Sequence, residues 1–247
     1  MTALLEVRGV SRNFGAIAAV RDVSFACAPG EIFGVIGPNG SGKTTLFNCI
    51  LGQIRPSAGQ VLFAGEDVSG LSPLSLARRG LSRTFQSLQV FGGLSVRDNL
   101  IAAAQEFDGS LAARLFARSD AGLSERADAT IRFFNLGRVA EQRAGELSYG
   151  QQKLLDIAMA FMAEPRLVML DEPAAGVNPV LVDALKHLLA RLNRERGATF
   201  VVIEHNMDFV MSLCHRVMVL AEGKVLAIGT PAEIRANPAV VEAYLGA

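Results

Sequence analysis

Near the start of the chain, apolar positions alternate with polar ones. Leu5 and Val7, then Val20, Val23 and Phe25, flank the turn formers Asn13 and Gly15. A period of two sends successive side chains to opposite faces of a strand, so this spacing predicts antiparallel pairing. The pattern then changes. Ile32-Phe33-Gly34-Val35-Ile36 is apolar throughout, enters a glycine-rich turn and gives way to helical spacing over 44–51. Two further unbroken runs, Leu167-Val168-Met169-Leu170 and Phe200-Val201-Val202-Ile203, lead through polar residues into helical patterns at 181–196 and 206–214. Continuous apolar strands alternating with helices are what a parallel sheet covered on both faces requires. Between 85 and 164 no strong strand run occurs; 95–105, 124–135 and 151–163 have helical periodicity, and the turn formers of 107–124 predict a surface excursion. The tail returns to strands near 218–220 and 225–228, then to a helix opened by Pro231 and another ending near Tyr244. The predicted class is α/β, a mixed sheet with a parallel core, joined by an antiparallel β subdomain and a helical insertion.

Composition narrows the functions open to such a fold. The 247 residues suffice for one large α/β domain with an insertion. Half of them are apolar, but in short runs, well below the roughly 20 needed to cross a bilayer, so no membrane span is expected. The opening Met1-Thr2-Ala3-Leu4-Leu5 has no basic segment leading into an apolar core, so no signal peptide is expected and the chain should stay where it is made. Lys and Arg total 24 and Asp and Glu total 24, interspersed, which leaves no basic footprint and makes nucleic acid an unexpected partner. Cys27, Cys49 and Cys214 are odd in number, far apart and in apolar surroundings, which fits buried free thiols better than disulfides or a metal site.

Chemistry concentrates at the ends of the apolar runs. Gly37-Pro38-Asn39-Gly40-Ser41-Gly42-Lys43-Thr44, with Thr45 next, sits between a predicted strand and a predicted helix. Glycines there let successive backbone N–H groups turn towards phosphates, while the helix start adds its positive dipole end. Lys43 would meet the β- and γ-phosphates and the Thr44 hydroxyl would ligate Mg²⁺. A glycine-rich turn matching by chance is the alternative, and the flanking strand and helix weigh against it. Asp171 and Glu172 close the run 167–170, at the carboxyl end of a predicted strand, where ligand crevices of open α/β sheets form. Asp171 suits Mg²⁺ and Glu172 suits polarising an attacking water; the bland alternative is a helix-capping pair ahead of Pro173. His205, at the end of the run 200–203, is placed to bond a γ-phosphate or to be structural. Leu147-Ser148-Tyr149-Gly150-Gln151-Gln152 precedes an apolar helix, which Ser148 can cap while the free N–H groups of the helix start form a second anion site; an ordinary capped helix is the alternative.

Taken together, these motifs resemble the nucleotide-binding subunits of ABC transporters, P-loop NTPases, over essentially the whole chain. Gly37–Thr44 is similar to the Walker A loop, Leu167–Asp171 to the Walker B strand, and Leu147–Gln151 to the signature. Gln86, in Arg-Thr-Phe-Gln, looks like the Q-loop glutamine, a metal contact. Glu172 looks like the catalytic base, Ala174–Pro179 the D-loop and His205 the switch histidine. Phe14 resembles the aromatic that stacks on adenine; a hairpin-core Phe is its other reading. The resemblance implies ATP and Mg²⁺ as cofactors. It also implies a second ATPase subunit, the same or different, paired head to tail, so that Ser148, Gly150 and Gln151 of one copy complete the ATP site of the other. Two departures from the commonest pattern bear on that coupling: Tyr149 replaces the first signature glycine, and Asn178 stands where Asp is usual.

Finer stretches narrow the resemblance. Phe47-Asn48, Pro-Ala-Ala-Gly-Val-Asn-Pro, Glu-His-Asn-Met-Asp-Phe-Val-Met and the ending Gly-Thr-Pro-Ala-Glu-Ile-Arg-Ala-Asn-Pro through Glu-Ala-Tyr-Leu-Gly look like the ATPases of bacterial branched-chain amino acid importers. Such a protein would work at the cytoplasmic face of the inner membrane with permease subunits and, indirectly, a periplasmic binding protein. Relatives serve urea or amide uptake, and lipid or lipopolysaccharide export is a neighbouring alternative. The implied organisation is a core with its β subdomain over 1–85 and 164–230, a helical subdomain over 86–163 and a tail over 231–247. Leu88, Val90 and Phe91 are either the permease-docking patch or core of the insertion. Soluble ABC ATPases of translation or repair, nucleoside kinases and a non-hydrolysing scaffold are the rival classes. The first normally has two cassettes or a long coiled-coil insertion, the second has no need of the signature helix, and a phosphate-release assay would separate the third.

Overall fold

The computed structural model of the chain describes residues 3–84, 89–104 and 121–245. In chain order, its elements are β1 (Leu5–Phe14), β2 (Ile17–Cys27), β3 (Ile32–Ile36), α1 (Lys43–Ile50), β4 (Ala58–Phe63), β5 (Glu66–Asp67), α2 (Pro73–Arg78) and β6 (Leu81–Thr84). There follow α3 (Val96–Ala104), α4 (Ala121–Phe133), α5 (Tyr149–Met162), β7 (Leu167–Asp171), α6 (Pro179–Arg196), β8 (Thr199–Ile203) and α7 (Met207–Leu213). The chain ends with β9 (Arg216–Ala221), β10 (Lys224–Gly229), α8 (Pro231–Ala236) and α9 (Pro238–Leu245). It divides into two compact units, one made of Met1–Arg83, Arg166–Gly176 and Lys186–Ala247, the other of Thr84–Pro165 and Val177–Leu185.

The first unit holds both sheets. One runs β2-β1-β4-β5 and is antiparallel; the other runs β10-β9-β3-β8-β7-β6. In the second sheet β3 lies parallel to both β8 and β9, and β7 parallel to β8, while β10 returns antiparallel to β9. The unbroken apolar runs are the three central strands, and every residue of β3, β7 and β8 is buried. Burying each large aliphatic or aromatic side chain there contributes roughly 1.5–3 kcal/mol, which is why these stretches cannot sit at a wet edge. Gly34 has a packing reason: a Cβ would stand 2.8 Å from Val210 Cγ1 and 3.0 Å from Cys214 Sγ, so a larger residue would push α7 off the sheet. Cys27, Cys49 and Cys214 are free and buried, as the spacing predicts.

The second unit is helical among its described residues. Buried Asn99 holds its loop, its amide donating to the carbonyls of Phe91, Leu94 and Ser95 at 3.1, 3.3 and 2.9 Å. Arg97 links α3 to Asp128 and Glu141 at 2.7 and 2.8 Å.

Several expectations need correction. Residues 121–124, assigned to a turn-rich excursion, are instead the first turn of α4; residues 107–120 lie outside the described set. No helix begins at Pro173, since 172–176 form turns and α6 starts only at Pro179, so Asp171 and Glu172 cap nothing. Phe14 is 45% exposed at the end of β1 and is no core residue. Strands β4, β5 and β6 and helix α2 were not anticipated, because their apolar positions are too few to show a period.

Candidate functional site

The parallel register sets one edge of the large sheet. Asp171 stands opposite Ile203, and Ile203 opposite Val35, so β7, β8 and β3 end side by side. The loop 37–44 leaves β3 at that edge and runs into α1, whose N-cap is Gly42 with φ of 100°. Its glycines are required for different reasons. A Cβ on Gly37 would fall 2.0 Å from the Leu220 carbonyl oxygen, and one on Gly42 would fall 2.3 Å from the Ala19 carbonyl oxygen. A Cβ on Gly40 meets nothing within 4 Å, although its φ of +77° still favours glycine. The loop is braced from behind, where the Gly223 N–H donates to the Ser41 carbonyl at 3.0 Å. Ser41 itself is buried, and Pro38 and Asn39 complete the turn. The tail also reaches this loop. Burial pushes the Tyr244 phenol up to about 12, opposed by a backbone hydrogen bond from Gly37.

Lys43 is 5% exposed, and its ammonium donates to the carbonyls of Gly37 and Pro38 at 2.8 and 2.9 Å and to Ser41 Oγ at 3.4 Å. All three acceptors are neutral. Burial holds its pKa below the ordinary lysine value, opposed only at a distance by the Glu172 charge. A buried cation held by neutral oxygens inside a ring of glycines fits a phosphate, which would supply the missing counter-charge. Thr44 and Thr45 follow in the first turn of α1, with the hydroxyl-bearing side chain a metal would need at that point.

The acids and the histidine meet on neighbouring strand ends. His205 Nε2 lies 2.9 Å from Glu172 Oε1, with side chains 43% and 21% exposed. Glu172 has φ of 49°, a left-handed conformation that costs a non-glycine residue roughly 1–3 kcal/mol and is retained where surroundings enforce it. Asp171 is buried and receives Arg83 Nη2 at 2.6 Å. Arg83 also donates through Nη1 to Asn48 Oδ1 at 3.2 Å and Gln53 Oε1 at 2.8 Å, which joins β6, β7 and the end of α1. Among the described residues there is no cluster of three or more His, Cys, Asp or Glu able to hold a metal. A single carboxylate, a threonine hydroxyl and phosphate oxygens are the donor set that suits Mg²⁺ rather than a tighter-bound transition metal.

At the hairpin end of the same unit, the Arg12 guanidinium stacks over the Phe14 ring at 4.7 Å, and Ile17 beside it is 71% exposed. Gln86 and Leu88 lie outside the described residues; of their neighbours, Val90 is half-buried and Phe91 exposed.

Ser148, Gly150 and Gln151 lie in the second unit. Ser148 caps α5 in a reciprocal box: its Oγ accepts the Gln151 N–H at 3.4 Å, while Gln151 Oε1 accepts the Ser148 N–H at 3.0 Å. Tyr149 is exposed, and a Cβ on Gly150 would come within 2.2 Å of Leu181 Cδ2. Ser148 thus caps the helix, as both readings of it require. Asn178 caps α6 from one side only, its Oδ1 accepting the Leu181 N–H at 3.0 Å. Two residues stand inside the quoted motifs without a role of their own there: Arg83, in Arg-Thr-Phe-Gln, and Glu204, directly ahead of His205. For Glu204 the available signal was a charge directly after the apolar run 200–203, whereas Arg83 lies within Leu81-Ser82-Arg83-Thr84, which has no apolar run to mark it.

Comparison with known proteins identifies the family. The family profile described as "ABC transporter" matches residues 20–175, and one described as "branched-chain amino acid ATP-binding cassette transporter" matches residues 224–247. The high-affinity branched-chain amino acid transport ATP-binding protein of Pseudomonas aeruginosa is 41% identical over 249 residues, covering 98% of each chain. Its Escherichia coli K12 counterpart is 39% identical at the same coverage. The lipopolysaccharide export ATP-binding protein of Acidithiobacillus ferridurans is 33% identical, covering 100% of this chain and 98% of its own. Among solved structures, an ATP-binding cassette of an ABC transporter in its ADP conformation superimposes with a TM-score of 0.89 at 32% identity, each chain fully covered. The chain belongs to the ABC transporter family of ATP-binding cassettes.

Proposed function

We propose that this protein is the ATP-hydrolysing subunit of an importer for branched-chain amino acids or related small polar solutes. The observation that carries this reading is Lys43, a buried cation bonded to neutral oxygens in a loop whose glycines turn the backbone towards a ligand. Backbone N–H groups of 39–45, in the turn that Gly37 and Pro38 open, bind the triphosphate together with Lys43, and Phe14, exposed beside Arg12, offers a flat face to the adenine. Mg²⁺, held by Thr44 and through water by Asp171 and Gln86, would neutralise charge on the β- and γ-phosphate oxygens. Glu172 accepts a proton from the attacking water, and His205, bonded to Glu172, fixes that carboxylate and reaches the γ-phosphate. Positioning and electrostatics then do most of the catalysis, as in other phosphoryl transfers.

A second cassette, identical or different, pairs head to tail and presents its Ser148, Gly150 and Gln151 to the bound γ-phosphate. The start of α5 supports this, since a helix N-terminus presents its positive dipole end and backbone N–H groups to an anion. Nucleotide closes the pair and hydrolysis releases it, which moves permease subunits at the cytoplasmic face of the inner membrane; a periplasmic binding protein delivers the solute. No helix among the described residues is long and apolar enough to cross a membrane. The branched-chain reading rests on the 39–41% identity to such ATPases and the matching tail, against 33% for lipopolysaccharide export.

The test is phosphate release by the protein reconstituted in liposomes with the permeases encoded beside it. MgATP-dependent release that rises with the loaded binding protein supports import. Release that ignores the binding protein points to export, and no release at all points to a nucleotide-binding scaffold.

A further inference from the structure

Glu204 is a carboxylate at 3% exposure, set between the last residue of β8 and His205. A buried carboxylate persists only where its lone pairs are met. Here Oε1 accepts the Ala174 N–H at 2.6 Å, and Oε2 accepts the N–H groups of His205 and Asn206 at 2.9 and 3.1 Å. These donors belong to two different loops. Ala174 follows the strand end that bears Glu172, and His205 opens the loop after β8. The β7–β8 ladder stops at Asp171 opposite Ile203, with one more bond from the Glu172 N–H to the Ile203 carbonyl at 2.9 Å. Beyond that bond Glu204 joins the loops, and past it Glu172 holds its left-handed backbone with its carboxylate against His205.

We propose that Glu204 is a positioning residue for hydrolysis: its two oxygens fasten the Glu172 turn to the His205 loop, and so aim the catalytic pair. Bonds from backbone N–H groups to a charged acceptor are short and roughly twice as strong as neutral ones, which suits a clamp that must resist the strain at Glu172. This role rests on the reading of Glu172 and His205 given above.

Glu204→Gln tests it, because the amide keeps the shape of the side chain yet turns an NH₂ towards backbone donors on one of the two sides. The full chain is assayed for phosphate release, for binding of a fluorescent ATP analogue, and for the Ala174 amide signal in a ¹H–¹⁵N spectrum. Expected are a fall in kcat of about tenfold or more, a KM and analogue affinity within about threefold of wild type, and an upfield move of the Ala174 amide proton. A kcat within about twofold of wild type overturns the proposal, as does a loss of affinity in step with kcat, which would mark general disorder instead. Glu204→Asp keeps the charge with a shorter reach and decides the matter if the Gln variant does not fold: a reduced kcat at unchanged affinity supports the clamp, and wild-type kcat refutes it. Glu172→Gln is run beside them. If it keeps wild-type turnover, the catalytic reading fails and takes the positioning role with it; if it loses turnover while Glu204→Gln does not, only the positioning role falls.

Discussion

Arg83 Nη2 donates to Asp171 Oδ2 at 2.6 Å, and the two side chains are only 13% and 5% exposed. The same guanidinium bonds Asn48 and Gln53, so the strand leading towards Gln86, the strand bearing the proposed metal carboxylate and the helix behind the phosphate loop share one cation. Removing it leaves a buried carboxylate without its counter-charge, which typically costs about 3–5 kcal/mol. Arg83→Gln should therefore lower Tm by roughly 6–20 °C, taking about 2–4 °C per kcal/mol for a chain of this size. Arg83→Lys should recover part of this, since an ammonium cannot span three acceptors as a planar fork does. A thermal melt within about 2 °C of wild type for both variants would show that the pair contributes little.

Lys43→Ala should spare the fold and lose the ligand. Its bonds in the structure go to the loop's own carbonyls, and burial already disfavours its charge, so the folded protein gives up little. A fluorescent ATP analogue should bind at least about tenfold more weakly, a loss of about 1.4 kcal/mol or more. Unchanged affinity would remove Lys43 from the site.

Two glycines of the same loop separate conformational strain from collision. Gly40→Ala and Gly42→Ala each place a side chain at positive φ, costing about 1 kcal/mol or somewhat more. Only at Gly42 does the new Cβ strike backbone, 2.3 Å from the Ala19 carbonyl. Chemical denaturation should show Gly42→Ala less stable than Gly40→Ala by about 1–3 kcal/mol, the range for overpacking. Equal losses would contradict the loop geometry.

The thiols should be silent in the folded protein. Burial pushes Cys49 up to about 11 and Cys214 to about 12, and Cys27 higher still. A thiol reagent at pH 8 should label none of the three while the chain is native and all three after denaturation. Because these pKa values are raised on folding, their contribution to stability is present below the ordinary thiol value of 9.0 and is lost as pH rises through about 11 and about 12. Stability should fall over that alkaline window. Rapid native labelling at pH 8 would contradict the burial.

The central sheet was legible because its strands are buried on both faces, so 32–36, 167–170 and 200–203 appear as apolar runs within Ile32–Ile36, Leu167–Asp171 and Thr199–Ile203. The phosphate loop was legible because glycine spacing and a lysine between strand and helix are local features. Strand β4 was not: its pattern begins with three exposed residues, Ala58, Gly59 and Gln60, and its partner β1 lies some 50 residues away in sequence. Phe14 was ambiguous because an aromatic residue in a hairpin usually packs inward, and only its 45% exposure decides otherwise. Arg83 and Glu204 act through partners 88 and 30 residues distant, Asp171 and Ala174, and no local pattern announces such a pairing.

Glu172→Gln gives the most direct test of the central claim, that a triphosphate held by the 37–44 loop is hydrolysed by a water that Glu172 activates. The amide keeps the hydrogen bond to His205 but cannot accept the proton. The account predicts ATP-analogue affinity within about threefold of wild type and phosphate release reduced about 100-fold or more, in the range attributed to general-base catalysis. Phosphate release at the wild-type rate would contradict it.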